Sequence, residues 1–134
     1  MPYLIDTDLV IDHLANVTEA NQLLDTLAPE GIAISIITYM EAYQGVVRSV
    51  NVKEAQVKFQ TFRRSVPVLP FSLSVAKRCA SLRERLKQEQ KRVKSRALDL
   101  MNAAIALEHD LTLVTRNIED YQDIPGLQLY PLAA

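Results

Sequence analysis

Short apolar runs alternate with amphipathic segments along most of this chain. The runs 3–6, 32–34, 66–69 and 112–115 predict strands, and 127–129 is a possible fifth. Strands that alternate with helical patterns are typical of βα units and a parallel sheet. The pattern therefore predicts the α/β class, with a short, mainly parallel sheet of 4–5 strands flanked by helices.

Helices are predicted between these strands from apolar spacing and from residues that favour N-caps. They cover 7–15, a segment capped by Thr18, about 35–47 with Ser35 as cap, about 51–64 after Asn51, a long helix capped by Ser72, and 97–108. The last of these is apolar on nearly every side, which predicts a buried helix. The segment 87–95 before it is a polar connection.

Length and composition indicate one globular domain over residues 1–134, because 49% hydrophobic residues exclude a disordered chain. No apolar run approaches the roughly 20 residues that a membrane span needs. The N-terminus lacks the charged segment and cleavage pattern of an export signal. The lone Cys79 lies on the apolar side of a helix and predicts a core residue in a reducing compartment. We therefore expect a cytoplasmic protein with no membrane partner.

Charge is distributed unevenly along the chain. Residues 1–47 contain seven acids and no Lys or Arg, whereas 48–96 hold 14 of the 15 basic residues against three acids. Residues 97–134 hold one Arg against six acids. The basic middle either rims an acidic site and guides a polyanion to it, or forms ordinary solvated helix faces.

Three acids occur inside apolar segments, where an ionised carboxylate is costly unless something positive meets it. They are Asp6, Glu41 and Asp99. If the fold brings them together, they repel one another and call for a divalent cation. An oxygen-only acidic set suits Mg²⁺ or Mn²⁺. The two histidines have no Cys or His at ligand spacing, which argues against zinc.

Each acid also has a plain structural interpretation. Asp6 ends the first strand, where ligands of open α/β sheets bind, but it could instead cap the next helix. Glu41 shares a helix face with Thr38 and Gly45, but it could be an exposed surface residue. A helical Gly costs about 1 kcal/mol relative to Ala, so Gly45 predicts close packing at that point.

Asp99 gives the strongest single signal. Asp99 and Asn102, at i and i+3, form the only polar stripe of a helix that is otherwise apolar. An acid in the first turn also gains from the helix dipole, which is the structural alternative. The segment 115–121 follows another strand and supplies further polar side chains at a carboxyl end.

The order of these motifs resembles PIN-domain nucleases, especially the VapC-type toxins of bacterial toxin–antitoxin pairs. The similar segments are Ile5-Asp6-Thr7-Asp8, Ser35-x-x-Thr38-x-x-Glu41 with Gly45, Leu98-Asp99-x-x-x-Ala103-Ala104, and Leu113-Val114-Thr115-Arg116-Asn117-x-x-Asp120-Tyr121 followed by Gly126. Together they span the chain from residue 3 to about 129. Each motif alone is only weakly specific for this family, whereas the four motifs in this order and at these spacings are specific for it.

The resemblance implies a PIN-like α/β/α domain, Mg²⁺-dependent endoribonuclease activity, a homodimer and a small antitoxin partner. It implies that Asp6 and Asp99 hold Mg²⁺ or Mn²⁺, and that Glu41 binds the same ion, a second ion or the attacking water. Supporting positions are Thr7, Asp8, Thr38, Asn102 and Thr115. The predicted RNA contacts are Lys91, Arg92, Lys94, Arg96 and Arg116.

Two positions depart from the family pattern. Asp8 stands where Asn or Ser is commoner, so it either adds a ligand or caps a helix. Asn117 stands at the fourth acidic position, and Asp120, one helical turn later, is the candidate for the missing charge.

Three alternatives remain beside this hypothesis. The sequence Asp6-Thr7-Asp8-Leu9-Val10 formally matches the first motif of haloacid-dehalogenase-type phosphohydrolases, which also need a late Lys; none follows Lys94. A receiver-type phosphorylation module needs the same Lys and an acceptor Asp after its middle strand, where this chain has Pro70. A PIN-like binding protein with little catalysis stays open because Asn117 is neutral.

Overall fold

A four-stranded parallel sheet organises the chain in the computed structural model, which describes residues 2–132. The predicted domain bounds, 1–134, extend beyond these residues at both ends. The strands are β1 Tyr3–Ile5, β2 Ile32–Ser35, β3 Val68–Leu69 and β4 Thr112–Val114. The α-helices are α1 Thr7–Leu14, α2 Thr18–Leu27, α3 Ile36–Arg48, α4 Val52–Arg64, α5 Leu73–Gln88 and α6 Ala97–Glu108. Short 3₁₀ turns cover Ala28–Glu30, Lys94–Arg96 and Ile118–Asp120.

The strands lie in the order β3-β2-β1-β4, and every pair is parallel. The chain moves to one side of β1 for β2 and β3 and returns to the other side for β4. The carboxyl ends of β1 and β4 therefore flank the point where strand order reverses, which is the usual ligand-binding crevice of such sheets. Residues 127–129 form no fifth strand; Leu129 makes only an isolated bridge with Leu113.

Helices cover both faces of the sheet because successive strand side chains point to opposite faces. Leu4 and Leu113 pack with the buried sides of α5 and α6 in one core cluster. Ile5 and Val114, their neighbours in sequence, pack with α1, α2 and α4 in the other. The result is the three-layer α/β/α arrangement that the resemblance implied.

Local capping follows the sequence closely, with one exception. The side chains of Ser35, Asn51 and Ser72 accept bonds from the backbone N–H groups three residues later, as predicted. Thr18 does not cap α2, so that prediction is wrong. The helix begins one residue earlier because the Val17 carbonyl already accepts the Asn21 N–H at 3.0 Å.

The helix Ala97–Glu108 is buried along most of its length, as its composition predicted. Cys79 is a buried core residue, and burial raises the pKa of its thiol, which keeps it protonated and unreactive. Among residues 2–132, no helix is long and apolar enough to cross a membrane.

Candidate active site

Asp6 lies at the end of β1 and is only 8% exposed. Its Oδ1 accepts the Thr7 N–H at 2.9 Å and so caps α1. Its Oδ2 accepts the hydroxyl of Thr115, which follows β4, at 2.6 Å. Asp6 therefore caps α1, as its structural interpretation predicted, and its second oxygen contacts the residue after β4.

Glu41 approaches Thr7 from α3. The Thr7 hydroxyl donates to Glu41 Oε1 at 2.6 Å. The Thr7 Oγ1 atom also lies 3.0 Å from the Thr38 hydroxyl. Thr38 is buried, and Glu41 is half-buried rather than exposed on a surface helix. Thr7 thus joins two of the three acids, since its N–H binds Asp6 and its hydroxyl binds Glu41.

Asp99 enters from the first turn of α6. Its Oδ1 accepts the Tyr121 hydroxyl at 3.1 Å, and that hydroxyl in turn lies 3.5 Å from Asn102 Nδ2. Tyr121 and Asn102 are both buried. Burial, with the nearby charges of Asp6 and Asp99, raises the pKa of the Tyr121 phenol far above its ordinary range. The phenol therefore stays protonated and acts as a hydrogen-bond donor.

The acids are close enough to affect one another. Burial raises the pKa of Asp6, and the charges of Asp99 and Asp8 add to the rise, although the bonds from Thr115 and Thr7 act the other way. Burial likewise raises the pKa of Asp99, assisted by the charges of Asp120 and Glu41 and opposed by the Tyr121 bond. In both carboxyl groups burial is the largest cause of the raised pKa, and the neighbouring carboxylates add to it.

In residues 2–132 no three His, Cys, Asp or Glu side chains lie close enough together to hold a metal ion by themselves. Mg²⁺ usually takes only one or two carboxylates and keeps several waters, so a closed cage is not required. Asn102 Oδ1 is buried and has no hydrogen-bond partner in the described part of the chain. A hydrated cation at Asp99 would supply a donor for that oxygen.

Sequence reasoning missed a buried ion pair beside the site. Arg96 is 2% exposed, and its guanidinium binds both carboxylate oxygens of Asp123, at 2.6 and 2.7 Å. It also donates to the backbone carbonyls of Asp120 and Arg92. The predicted RNA contact by Arg96 is therefore wrong, because its donors are used inside the protein. This ion pair lowers the pKa of Asp123.

The other predicted RNA contacts lie on the surface. Lys91 pairs with Glu89 at 3.1 Å, and Arg92 pairs with Asp120 at 2.9 Å. Arg116, directly after Thr115, pairs with Asp12. Lys94 is exposed and forms no ion pair with any residue in the range 2–132.

The two candidates for the fourth acidic position lie in different surroundings. The Asn117 N–H donates to the Thr115 hydroxyl at 3.0 Å, so its backbone contacts the site. Asp120 pairs with Arg92, yet its charge still contributes to the raised pKa of Asp99. Asp8 is exposed in the first turn of α1, where its charge favours the helix dipole.

Gly45 does not mark close packing, and that prediction is wrong. A Cβ added there would meet no heavy atom within 4 Å among the described residues. Gly45 instead lines an open groove between α1, α3 and α4, with a volume of about 500 Å³. The missing side chain of Gly45 therefore widens the groove and does not allow another element to pack closely against α3.

The PIN domain family profile matches residues 3–126. This chain belongs to the PIN-domain family. Ribonuclease VapC2 of Rickettsia felis is 31% identical to this PIN domain over 131 residues, which are 96% of each chain. Ribonuclease VapC1 of Haemophilus influenzae is 25% identical, again over 96% of each chain. The family resemblance drawn from the motifs is confirmed.

Solved structures agree with this assignment. The crystal structure of VapBC2 from Rickettsia felis, bound to a DNA fragment from its promoter, contains a chain with a TM-score of 0.87 and 28% identity. That match covers 99% of this PIN domain and 100% of the other chain. A toxin–antitoxin complex from Klebsiella pneumoniae has a TM-score of 0.75 and 30% identity, and covers 97% and 99%. The PIN fold therefore extends over essentially the whole chain.

Proposed function

We propose that this VapC-type PIN domain is a Mg²⁺-dependent endoribonuclease and the toxin of a type II toxin–antitoxin pair. The observation that carries the proposal is that Thr7 joins Asp6 to Glu41 across distant parts of the sequence. Asp99 lies near enough for its charge to contribute to the raised pKa of Asp6, and Glu41 contributes in the same way to that of Asp99. Family membership with ribonucleases supports the same activity.

Asp6 and Asp99 are the residues that would hold Mg²⁺, or Mn²⁺ in its place. A bound divalent ion lowers the pKa of an attacking water and offsets charge that develops on the phosphodiester. Glu41, fixed by Thr7, would orient that water or accept its proton. Tyr121 and Thr115 keep one oxygen of each ligating carboxylate in place.

RNA would be bound along its phosphates by the exposed basic residues Lys91, Arg92, Lys94 and Arg116. Such contacts position a substrate without reading its sequence. Among residues 2–132, Lys94 forms no ion pair that RNA binding would have to break. Arg92 and Arg116 would break their ion pairs with Asp120 and Asp12 in order to bind phosphate. Arg96 has no part in this surface.

The test is cleavage of a structured RNA by purified protein with Mg²⁺, compared with Asp99→Asn and with added EDTA. We expect cleavage by the wild type only, and only with metal. The conservative Asn keeps the shape of the side chain and can accept the Tyr121 bond, so loss of activity would reflect the missing charge. Equal cleavage by both proteins would indicate a contaminating nuclease and remove the assignment.

The antitoxin is the first protein partner that we propose. The toxin–antitoxin complex from Klebsiella pneumoniae supports it, since that chain is 30% identical over nearly the full length. The groove between α1, α3 and α4 offers an apolar surface, with Val50 fully exposed at its rim. Exposed apolar patches of this kind mark protein contacts. A neighbouring short gene for a DNA-binding protein, and co-purification of its product, would test this partner.

A second copy of the chain is the other partner that we propose. Ile36, Met40 and Val47 are exposed on α3 and fall on one stripe of that helix. Light scattering after size exclusion should give a dimer for the wild type and a monomer for Met40→Arg. A wild-type monomer at micromolar concentration would contradict the proposal.

A binding protein with weak catalysis is the second candidate. Two observations favour it: Asn117 is neutral at the fourth position, and Asp120 is paired with Arg92. The cleavage assay separates the candidates, because this alternative expects antitoxin binding together with no metal-dependent cleavage by the wild type.

A further inference from the structure

Tyr121 joins the segment after β4 to the first turn of α6. The side chain is 1% exposed, and its ring packs in the core cluster that includes Leu100 and Ala103 of α6. Its hydroxyl donates to Asp99 Oδ1 at 3.1 Å and accepts from Asn102 Nδ2 at 3.5 Å. A hydroxyl buried in this way needs such partners, and here they are the two polar residues in a helix that is otherwise apolar from Ala97 to Leu107.

The backbone around Tyr121 is held independently of its hydroxyl. Arg96 donates to the carbonyl of Asp120 at 3.0 Å and pairs with the carboxylate of Asp123. These contacts lie on either side of Tyr121 in the sequence. They link the same segment to the residue that precedes α6. The ring is therefore fixed by packing and by this ion pair, and this places its hydroxyl within hydrogen-bond distance of Asp99.

The hydroxyl contacts only one oxygen of Asp99. Oδ1 accepts the Tyr121 bond, whereas Oδ2 accepts no hydrogen bond from residues 2–132. A carboxylate in the first turn of a helix has rotational freedom about two bonds, and one fixed oxygen removes most of it. Partners that orient a metal ligand in this way commonly alter metal affinity by about 10–100-fold.

We propose that Tyr121 is a positioning residue that, together with Asn102, fixes the Asp99 carboxylate in the orientation in which it would hold the divalent ion. The proposal rests on the function proposed above and adds to it a residue outside the acidic set. Tyr121 contacts neither the ion nor RNA in this role; it acts through Asp99.

The experiment is titration of RNA-free protein with Mn²⁺ by calorimetry, comparing the wild type, Tyr121→Phe and Tyr3→Phe. Tyr121→Phe keeps the ring and removes the hydroxyl. Tyr3→Phe removes a hydroxyl that donates to Glu30 at an exposed position, and serves as the matched control. We expect the Kd for Mn²⁺ to rise about tenfold in Tyr121→Phe and to stay at the wild-type value in Tyr3→Phe.

Cleavage measured over a range of Mn²⁺ concentrations gives a second readout. A positioning residue affects occupancy, so the kcat of Tyr121→Phe should approach the wild-type value once Mn²⁺ is saturating. In an Asp99→Asn background, Tyr121→Phe should cause no further rise in Kd, because the carboxylate through which it acts is already gone. A rise of equal size in both backgrounds would overturn the proposal.

The two proposals fail in different ways. If the wild type binds no Mn²⁺ and cuts no RNA, the proposed function fails. If the wild type binds Mn²⁺ and Tyr121→Phe binds it equally well, only the role of Tyr121 fails. Should Tyr121→Phe not fold, Asn102→Ala tests the same pair, with a severalfold weaker Mn²⁺ affinity expected and an unchanged affinity overturning the proposal.

Discussion

The Thr115 hydroxyl donates to Asp6 Oδ2 at 2.6 Å, across 109 residues of sequence. The bond joins the carboxyl ends of β1 and β4, the two strands that flank the reversal of strand order. Thr115 is fully buried and also accepts the Asn117 N–H, so its hydroxyl is used as both donor and acceptor. One hydroxyl thus fixes the geometry of a candidate metal ligand and of the following turn.

Replacing Thr115 by Val should weaken both stability and the site. Val keeps the shape but leaves Asp6 Oδ2 without a donor and the Asn117 N–H without an acceptor. We expect a loss of about 1–3 kcal/mol in urea unfolding at pH 7 and a fall of about tenfold in Mg²⁺-dependent cleavage. Thr26→Val, which removes an exposed hydroxyl on α2, is the matched control. Equal behaviour of the two variants would contradict the role of the Asp6 contact.

Neutralising Asp6 should stabilise the metal-free protein while abolishing cleavage. Burial raises the folded-state pKa of Asp6, so its favourable contribution is present below the unfolded pKa of about 3.9 and is lost as pH rises through the folded value. At pH 7 in EDTA, Asp6→Asn should therefore raise the unfolding free energy by about 1 kcal/mol, or Tm by about 4 °C. Asn caps helices as well as Asp does, so α1 should be unaffected.

The gain in Asp6→Asn should shrink as pH is lowered through the folded pKa, because the wild-type carboxyl is then neutral as well. Thermal melts in EDTA between pH 3 and pH 8 would measure this change. A variant that melts below the wild type at pH 7 would show that the hydrogen bonds to the charged form outweigh burial and repulsion.

Breaking the buried ion pair should be costly. Asp123→Asn leaves the Arg96 guanidinium, which is 2% exposed, without its counter-charge. Removal of one partner of a buried pair typically costs about 3–5 kcal/mol, and because the Asp123 side chain is 27% exposed we expect a cost at the lower end, about 3 kcal/mol. Glu89→Gln, which weakens exposed pairs with Arg85 and Lys91, should leave stability nearly unchanged, because solvent screens such pairs. Urea unfolding at pH 7 measures both.

The effect of Asp123 has a defined pH window. Its folded-state pKa is lowered, so its contribution is present above the unfolded pKa of about 3.9 and is lost as pH falls through the folded value. The difference between wild type and Asp123→Asn should therefore narrow only under acidic conditions. A difference that is constant from pH 7 to pH 2 would contradict an origin in this ion pair.

The sheet and most caps were predictable because their signals are local. Ser35 and Ser72 lie three residues before the N–H groups that they cap, and each strand is a continuous apolar run. The contact between Asp6 and Thr115 was also predictable, since both residues follow the carboxyl ends of parallel strands and those ends share one edge of the sheet. The first residue of α2 was not predictable, because a single backbone hydrogen bond, from the Asn21 N–H to the Val17 carbonyl, decides whether Val17 or Thr18 is the N-cap.

The roles of Tyr121 and Arg96 could not be deduced from spacing. Their partners, Asp99 and Asp123, lie 22 and 27 residues away, so the contacts depend on how α6 packs against the segment after β4. In the sequence alone, a tyrosine at position 121 and an arginine at position 96 are compatible with many other structural roles. Gly45 was misjudged for a related reason: a glycine in a helix signals missing volume, which is equally compatible with close contact and with an open groove.

Gly45→Ala should stabilise the protein. The added methyl group enters open space, and Ala is favoured over Gly in a helix interior by about 1 kcal/mol. We expect Tm to rise by about 3–5 °C, with cleavage unchanged because Gly45 lies in the groove and not in the crevice. A fall in Tm would mean that the groove is closed in solution.

The exposed basic segment before α6 should set the salt dependence of RNA binding. Replacing Lys91, Arg92 and Lys94 by Gln removes three candidate phosphate contacts, and each lost contact reduces the slope of log K against log[salt] by about 0.7 for single-stranded RNA. The matched control is Arg63→Gln with Arg64→Gln, since these residues lie at the amino end of β3, on the opposite edge of the sheet. RNA binding is measured for both sets of substitutions in the Asp99→Asn protein, which is expected not to cut the RNA. Titration from low to moderate salt then compares the contribution of the segment 91–94 with that of Arg63 and Arg64. An unchanged slope in the triple variant, or an equal change in the control, would place the RNA elsewhere on the protein.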